Sequence, residues 1–196
     1  KLAKFFNMLG VMLEERKKLF RGGNYSQYVR ANGIVIPAVL LVIDNYSNFR
    51  NKTNSMYDEK ILQLSKDGVS HGIFLVITGG GFQASEIPAR IADNFRTVIC
   101  LEMGDKFKYA EAMRMTRIET IPEPNIKGRG LAKIGGQLLE FQTALSFRAE
   151  DDFKRMEGIA HLSGQMQNQW TGRPAKAVPQ IPENPVWSEF AALEDT

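Results

Sequence analysis

An aspartate at the end of an apolar run is the residue of this chain best placed to do chemistry. The segment VLLVIDN, Val39–Asn45, carries five apolar residues directly into Asp44. A buried strand that ends in a carboxylate can position Mg²⁺ or its water shell beside a triphosphate, the arrangement called Walker B. The next residue in such a site is often a glutamate that activates water, whereas here it is Asn45. From the motif alone, a strand that merely ends in a turn is the alternative.

A threonine ends the next apolar run. Ile73–Thr78, IFLVIT, is followed by three glycines, and a third apolar run, Thr97–Glu102, ends in an acid. Because ligands bind beyond the carboxyl ends of open parallel strands, we expect Asp44, Thr78 and Glu102 at one edge of a sheet. Thr78 is the candidate nucleotide sensor, since its hydroxyl could contact a γ-phosphate or an attacking water. A purely structural threonine is the alternative. The three glycines lack the spacing of a phosphate loop, so we predict a turn there.

Arginines and aromatic residues supply further candidates. Arg90 and Arg129 could each reach into the site of a neighbouring module, and Arg129 stands between two glycines in KGRGL. Arginines that simply solvate a surface are the alternative for both. Tyr46, Phe49 and Tyr57 could line a groove for a peptide helix, with packing in the core as the default expectation.

The elements that must position these residues alternate between helices and strands. Apolar spacing predicts helices at 2–20, 56–66, 86–94, 106–113 and 149–170. Short apolar runs predict strands at 38–43, 73–78 and 97–102, and GRGLAKIGGQLLEFQTAL predicts a hairpin that turns at Gly135 and Gly136. Asp105 is the predicted N-cap of the helix that follows it. The nearly continuous apolar character of the three strands indicates coverage on both faces, so we expect a mainly parallel α/β sheet.

Composition argues against several other kinds of protein. The net charge is only +3 and the basic residues are spread among acidic ones, so nucleic-acid binding is not favoured. The single cysteine, Cys100, excludes an internal disulfide framework and is expected to be buried and inert. The two histidines, His71 and His161, have no ligand-spaced partners, so no zinc site is expected. No run approaches the roughly 18 apolar residues that a membrane helix needs.

The sequence contains no phosphate loop. No G-x-x-x-x-G-K-[ST] occurs in the 196 residues, and without that loop and its lysine a triphosphate has no cradle. Asp44 alone is therefore expected to bind Mg·ATP weakly, and the chain alone is not expected to hydrolyse ATP. Because the chain does not begin with Met, we expect it to be part of a longer protein.

A series of motifs resembles one family. The order of the FtsK/SpoIIIE ATPase modules is matched by the segments MLEERKKLFRGG, PAVLLVIDNYSNF, LSKDGVSHGIFLVIT, IPARIADNFRTVICLEMGD and IKGRGL…LLEFQTAL. Over residues 8–182 the chain looks most like the membrane-anchored ATPases of type VII (ESAT-6/WXG100) secretion, the EssC/EccC family. Proteins of that family carry several such modules in tandem on the cytoplasmic side of the bacterial plasma membrane.

The resemblance implies a RecA-like P-loop NTPase fold, an α/β three-layer sandwich of which this chain forms the Walker B half. Residues 1–170 would then be an ATPase module without its Walker A region, and 171–196 a Pro-rich linker and docking segment. ATP and Mg²⁺ are the implied cofactors of the complete module, with Asp44 a weak Mg²⁺ ligand and none bound by this fragment. The position of Asn45 is typically acidic in the active module. Catalysis is therefore expected to be degenerate, because an amide cannot take a proton from water.

The implied function is nucleotide binding coupled to export of WXG100-type proteins, in a hexamer and with neighbouring modules of the same chain as partners. A non-catalytic module that recognises substrate or regulates the same motor is the alternative. A DNA-translocase module is a third possibility, which the weak positive charge disfavours. Whether the chain belongs to an active enzyme is left open.

Overall fold

The computed structural model describes residues 1–83, 85–119, 121–172 and 186. The helices of this part are α1 (Leu2–Phe20), α2 (Tyr25–Asn32), α3 (Tyr46–Lys52), α4 (Asp58–Asp67), α5 (Ala89–Ala92), α6 (Lys106–Met113) and α7 (Asp152–Gln169). The strands are β1 (Val39–Ile43), β2 (Ile73–Ile77), β3 (Val98–Cys100), β4 (Arg129–Ile134) and β5 (Gln137–Gln142). Almost all of the predicted linker at 171–196 lies outside the described residues. None of the described helices could cross a membrane.

The first sheet pairs β1 with β2 in parallel, as the sequence predicted, and its register ends at Ile43 opposite Ile77. The two faces of this sheet differ in burial. Leu41 and Ile43 are buried against helices, whereas Leu40 and Val42 on the opposite face are exposed. Within the described residues the sheet is therefore covered on one face, and the expected coverage on both faces is not found.

The first core lies between this sheet and two helices. Phe6, Leu9 and Leu13 recur along one side of α1 and are buried, and α4 contributes Ile61 and Leu64. This spacing is that of an amphipathic helix, which explains why α1 was predicted correctly. Burial of each such side chain stabilises the fold by about 1.5–3 kcal/mol.

A buried arginine ties α1 to the beginnings of both parallel strands. The Arg16 guanidinium donates hydrogen bonds to the carbonyl oxygens of Pro37 (2.7 Å), His71 (2.8 Å) and Gly72 (3.0 Å). Burial lowers the pKa of this guanidinium. Since each carbonyl lies just before β1 or β2, Arg16 fixes the end of the sheet opposite Asp44.

The second sheet is antiparallel and has the order β3-β4-β5. The predicted hairpin is confirmed, with Gly135 and Gly136 at positive φ values of 56° and 88° between β4 and β5. The expectation that β3 joins the parallel sheet is not met, because Cys100 pairs with Leu131 of β4. An apolar run predicts a strand but does not identify its partner, and this partner lies far along the chain.

A second core packs α6 against β3 and β4. Its buried side chains include Cys100, Tyr109 and Met113. Asp105 caps α6 as predicted, since its carboxylate accepts a hydrogen bond from the Lys108 amide at 2.9 Å. Phe82 packs against both cores and so lies where the two sheets meet.

Candidate functional site

The structure brings Asp44 and Thr78 together. The parallel register places both residues just beyond the carboxyl ends of β1 and β2. The Thr78 hydroxyl donates to the Asp44 carboxylate and accepts a hydrogen bond from the Asn45 amide at 2.9 Å. The Thr78 amide in turn donates to the Ile43 carbonyl at 3.0 Å. Strand pairing and side-chain contacts thus fix a carboxylate and a hydroxyl at one edge of the sheet.

Asn45 serves as a helix cap. Its φ is +52°, in the left-handed region that asparagine and aspartate tolerate better than most residues. Its side-chain oxygen accepts a hydrogen bond from the Asn48 amide at 3.2 Å, which satisfies a free donor in the first turn of α3. The side-chain oxygen of Asn45 is therefore occupied by a hydrogen bond from the α3 backbone, and the residue places no acid next to Asp44.

A buried cluster behind the site holds the beginning of α3. The Asp58 carboxylate accepts hydrogen bonds from the Arg50 guanidinium at 3.0–3.2 Å and from the Tyr46 hydroxyl at 3.2 Å. Arg50 also donates to the Ser85 carbonyl at 3.1 Å. Burial, and next the negative charge of Asp58, raises the pKa of Tyr46. The sequence pattern did not predict this cluster because the Tyr46–Lys52 helix is too short to show a clear period.

The alternative that Tyr46, Phe49 and Tyr57 line a groove for a peptide helix is wrong. Tyr46 is fully buried, and Phe49 and Tyr57 pack against the same core. The Tyr57 ring stacks on Phe6 with a centroid distance of 4.6 Å. The default expectation of core packing holds for these aromatic residues, so they offer no groove to a peptide.

A carboxylate that the sequence pattern did not indicate lies against the glycine loop after β2. A Cβ built on Gly81 would lie 3.1 Å and 3.2 Å from the two carboxylate oxygens of Glu86. One of these oxygens, Oε2, is buried and has no hydrogen-bond partner among the described residues. A side chain at position 81 would therefore require the Glu86 carboxylate to shift by a few tenths of an ångström. The only signal in the sequence was an acid five residues after three consecutive glycines.

Glu102 does not join the site. It follows β3 in the antiparallel sheet, and its Oε1 accepts a hydrogen bond from the Asn125 amide at 3.3 Å. Because β3 does not pair with β1 or β2, the expectation that Glu102 would share an edge with Asp44 is not met.

Both candidate arginines contact acids within the chain. Arg90 pairs with Glu59 on the surface of α4. The Arg129 Nε lies 3.4 Å from Glu140 across the β4–β5 hairpin and makes no hydrogen bond in the described structure. Their role as residues that reach into a neighbouring module stays a prediction.

The donor set at Asp44 suits Mg²⁺ only together with a nucleotide. Within the described ranges, no three His, Cys, Asp or Glu side chains lie close enough to hold a metal ion. Mg²⁺ typically takes one or two carboxylates together with phosphate oxygens and waters. Asp44 and Thr78 supply one carboxylate and one hydroxyl, so a Mg²⁺ ion held here would need further ligands of the kind that phosphate oxygens and water supply.

Comparison with known proteins places these features in context. No protein-family model matches the chain. The chain is 26% identical over 187 residues to the type VII secretion system protein EssC of Staphylococcus aureus (strain MRSA252), a match that covers 93% of the chain and 12% of the relative. It is 24% identical over 194 residues to the ESX secretion system protein EccC of Geobacillus thermodenitrificans (strain NG80-2), which covers 97% of the chain and 13% of the relative. The chain thus spans about an eighth of the length of these relatives.

Solved structures share the fold. EssC (ATPases 2 and 3) from G. thermodenitrificans has a TM-score of 0.83 at 23% identity, over 98% of this chain and 36% of that one. Thermomonospora curvata EccC (ATPases 2 and 3), in complex with a signal sequence peptide, has a TM-score of 0.68 at 23% identity. The match covers 93% of this chain and 33% of that one. The pCW3 conjugation coupling protein TcpA, in its monomer form with ATPγS, has a TM-score of 0.63 at 24% identity. The match covers 82% of this chain and 48% of that one.

These likenesses confirm the predicted fold class, because the chain aligns over most of its length with the EssC ATPase structure and with TcpA, which was solved with ATPγS. The resemblance carried by the sequence motifs is thereby confirmed, and the chain is similar, along almost its whole length, to an ATPase module of the type VII secretion proteins EssC and EccC.

Proposed function

We propose that the chain is the magnesium-positioning part of an ATPase module that binds nucleotide and couples it to export of WXG100-type proteins. The observation that carries this proposal is the hydrogen bond from Thr78 to Asp44 at the ends of two parallel strands. Ligands of open α/β sheets bind at such an edge. The similarity to EssC and EccC supports the export role.

Asp44 and Thr78 have separate roles in this proposal. The Asp44 carboxylate holds Mg²⁺ or its water shell, and the Mg²⁺ offsets the charge of the phosphates. The Thr78 hydroxyl fixes the orientation of that carboxylate and lies where it can sense the terminal phosphate. Asn45 cannot act as a general base. Nucleotide binding with little turnover is therefore the expected behaviour.

A chimeric module tests nucleotide binding. The chain is joined to the phosphate-loop half of the G. thermodenitrificans EssC ATPase, the protein with a TM-score of 0.83. We expect ATP to bind with a Kd below about 1 mM in the presence of Mg²⁺. Replacement of Asp44 by Ala should abolish the Mg²⁺ dependence of binding. A Kd above that value, or binding that is unaffected by Asp44→Ala, would contradict the proposal.

A second substitution tests why turnover is low. Asn45→Asp keeps an N-cap oxygen and tolerates the left-handed backbone, but adds an acid beside Asp44. We expect faster ATP hydrolysis by the chimera with Asn45→Asp, and no change with Asn45→Gly, which also fits the positive φ. Equal rates for the two variants would show that the missing acid is not what limits hydrolysis.

Assembly follows from the same proposal. The chain would act at the cytoplasmic side of the plasma membrane as part of a membrane-anchored protein. Its partners would be neighbouring ATPase modules of the same chain, and the full protein would form a hexamer. Arg90 and Arg129 are the candidate contacts between modules. Substitution of either by Ala in the hexamer should lower turnover by a neighbouring module and leave nucleotide affinity of this module unchanged.

Substrate recognition is a second candidate function. One similar structure, the T. curvata EccC protein, was solved with a signal sequence peptide. In this chain α7 contains no buried residue, and its apolar side chains Phe153, Met156 and Met166 are exposed. Methionines adapt to varied apolar partners, so α7 replaces the Tyr46 region as the candidate surface.

A pull-down with a secreted WXG100 dimer tests this second function. The variant Met156→Lys should reduce capture, while Val11→Lys, at an exposed position on α1, serves as the matched control. Capture that both variants retain would remove α7 as the recognition surface.

A further inference from the structure

We propose that Glu86 is a catalytic residue of the nucleotide site, where its carboxylate accepts a proton from the water that attacks ATP. This inference rests on the proposed function, and it assigns an acid that the motif around Asp44 does not contain. The residue after Asp44 is Asn45, whose amide cannot take a proton from water. Glu86 supplies a carboxylate from a different segment, beyond the end of β2.

The Glu86 carboxylate lies beside the segment that carries Thr78. Thr78 is followed directly by Gly79, and a Cβ built on Gly79 would lie 3.9 Å from Oε2 of Glu86. From Gly81 the corresponding distances to the two carboxylate oxygens are 3.1 and 3.2 Å. Residues 79–81 are all glycine, so no side chain from this loop separates the carboxylate from the end of β2.

Contacts on both sides hold the backbone of Glu86 in place. The amides of Glu86 and Ile87 both donate to the Gln83 carbonyl, at 2.8 and 2.9 Å, which closes a tight turn. Ile87 is buried in the first core. The preceding carbonyl, that of Ser85, accepts a hydrogen bond from Arg50 at 3.1 Å. The turn is thus tied to the buried cluster that holds the beginning of α3, next to the site.

Glu86 retains an acceptor that the other acids of this region have already used. The Asp44 carboxylate accepts a hydrogen bond from Thr78, and that of Asp58 is paired with Arg50. Oε2 of Glu86 is buried and accepts no hydrogen bond within the described residues. A buried acceptor without a donor is costly to the fold. A water molecule that enters the site with the nucleotide is a donor that fits this position.

The reaction at Glu86 is hydrolysis of the terminal phosphate. The oxygen of a water molecule forms a bond to the γ-phosphorus of ATP, and one proton of that water passes to the Glu86 carboxylate. The bond from the γ-phosphorus to the bridging oxygen breaks, its electron pair stays on ADP, and Glu86 returns the proton to solvent. Glu86 is partly exposed but its Oε2 is buried, so the glycine loop must shift slightly before water reaches it. Turnover should therefore be slow.

Single-turnover hydrolysis by the chimeric module, which contains the full chain, tests this role. Glu86→Gln should lower the hydrolysis rate about 100-fold and leave the Kd for Mg·ATP unchanged, because a general base acts on the rate. Glu14→Gln is the matched control. Glu14 is an exposed acid on α1, two residues before Arg16, which contacts the opposite end of the sheet. An unchanged rate in Glu86→Gln, or an equal loss in Glu14→Gln, would overturn the inference.

A rescue experiment separates a catalytic role from a structural one. Asn45→Asp, combined with Glu86→Gln, should raise the hydrolysis rate about tenfold or more above that of Glu86→Gln alone, because it places a new acid beside Asp44. A loss of rate caused by poor folding would not be repaired by an acid at position 45. Absence of any recovery, with Mg·ATP binding intact, would overturn the assignment of Glu86 as the proton acceptor.

A readout that does not depend on hydrolysis locates Glu86 relative to the metal. In the chimera with ¹³C-labelled glutamate, the carboxylate resonance that disappears in Glu86→Gln identifies this residue. Mn²⁺ with ATPγS should broaden the Glu86 resonance strongly and that of Glu14 far less, because paramagnetic broadening falls steeply with distance. Equal broadening of the two resonances, or none at Glu86, would overturn the inference.

The outcomes also separate this inference from the proposed function. A chimera that binds no Mg·ATP would refute both. A chimera that binds Mg·ATP but does not hydrolyse it, or that hydrolyses it equally well with Glu86→Gln, would leave nucleotide binding standing and overturn the role of Glu86.

Discussion

The buried Asp58 carboxylate should stabilise the fold far more than the acid beside it on the same helix. Asp58 accepts hydrogen bonds from Arg50 and Tyr46, and the side chains of the Asp58–Arg50 pair are only 8% and 20% exposed. Glu59 also pairs with an arginine, Arg90, but those side chains are 72% and 52% exposed. The variants Asp58→Asn and Glu59→Gln each remove one charge from an arginine pair, so they differ chiefly in burial.

The magnitude follows from that difference. Removal of one partner from a buried ion pair costs about 3–5 kcal/mol. Because Arg50 keeps some contact with water, and because the amide introduced by Asp58→Asn could still accept one hydrogen bond, we expect about 2–3 kcal/mol. An exposed pair contributes about 0.2–1 kcal/mol. For a domain of this size each kcal/mol shifts Tm by roughly 2–4 °C, so Asp58→Asn should lower Tm by about 4–12 °C and Glu59→Gln by about 4 °C at most.

Thermal denaturation followed by circular dichroism measures both shifts, and hydrogen exchange shows where the structure loosens. The Tyr46 amide donates to the Thr78 carbonyl at 2.9 Å, so its protection reports directly on the site. It should fall in Asp58→Asn and persist in Glu59→Gln. Equal Tm shifts for the two variants, or unchanged protection of Tyr46, would refute the argument that the buried pair holds the beginning of α3.

Three further predictions concern the backbone and the single thiol. Asn45→Ala should cost about 2 kcal/mol in urea denaturation, since it loses a cap and strains a left-handed residue, whereas Asn45→Gly should cost only a few tenths. Gly130→Ala should lower Tm, because its Cβ would lie 2.2 Å from the Cys100 carbonyl oxygen; Gly10→Ala, in a helix with open space, should not lower it. Burial raises the pKa of Cys100 to about 11, so labelling by iodoacetamide at about pH 8 should be slow until urea is added. Stability from this protonated thiol is present below its ordinary pKa and is lost as pH rises towards 11.

Local features of the fold could be predicted well from the sequence. The apolar run at Val39–Ile43 predicted a strand, Gly135 and Gly136 predicted a hairpin turn, and Asp105 predicted a helix cap. The structure contains all three. Each of these depends on residues that are close in sequence, where turn chemistry and capping act directly. The position of Asp44 and Thr78 at one edge of the sheet could also be predicted, because parallel strands align their carboxyl ends.

Features that depend on distant partners could not be predicted in the same way. The pairing of β3 with β4, rather than with the parallel sheet, is a choice between partners of similar apolar character. Burial of Asp58 is determined by Arg50 and Tyr46 on another helix, and nothing in its own neighbourhood marks it. In each case the deciding contact joins separate segments of the chain.

The cap at Asn45 has an evolutionary consequence. Asparagine and aspartate cap helices about equally well, and both tolerate a left-handed backbone. The fold therefore places almost no selection on which of the two occupies this position. An exchange between the two residues needs one substitution and passes through no intermediate that folds poorly. Selection on the chemistry of residue 45 can thus act independently of selection for stability.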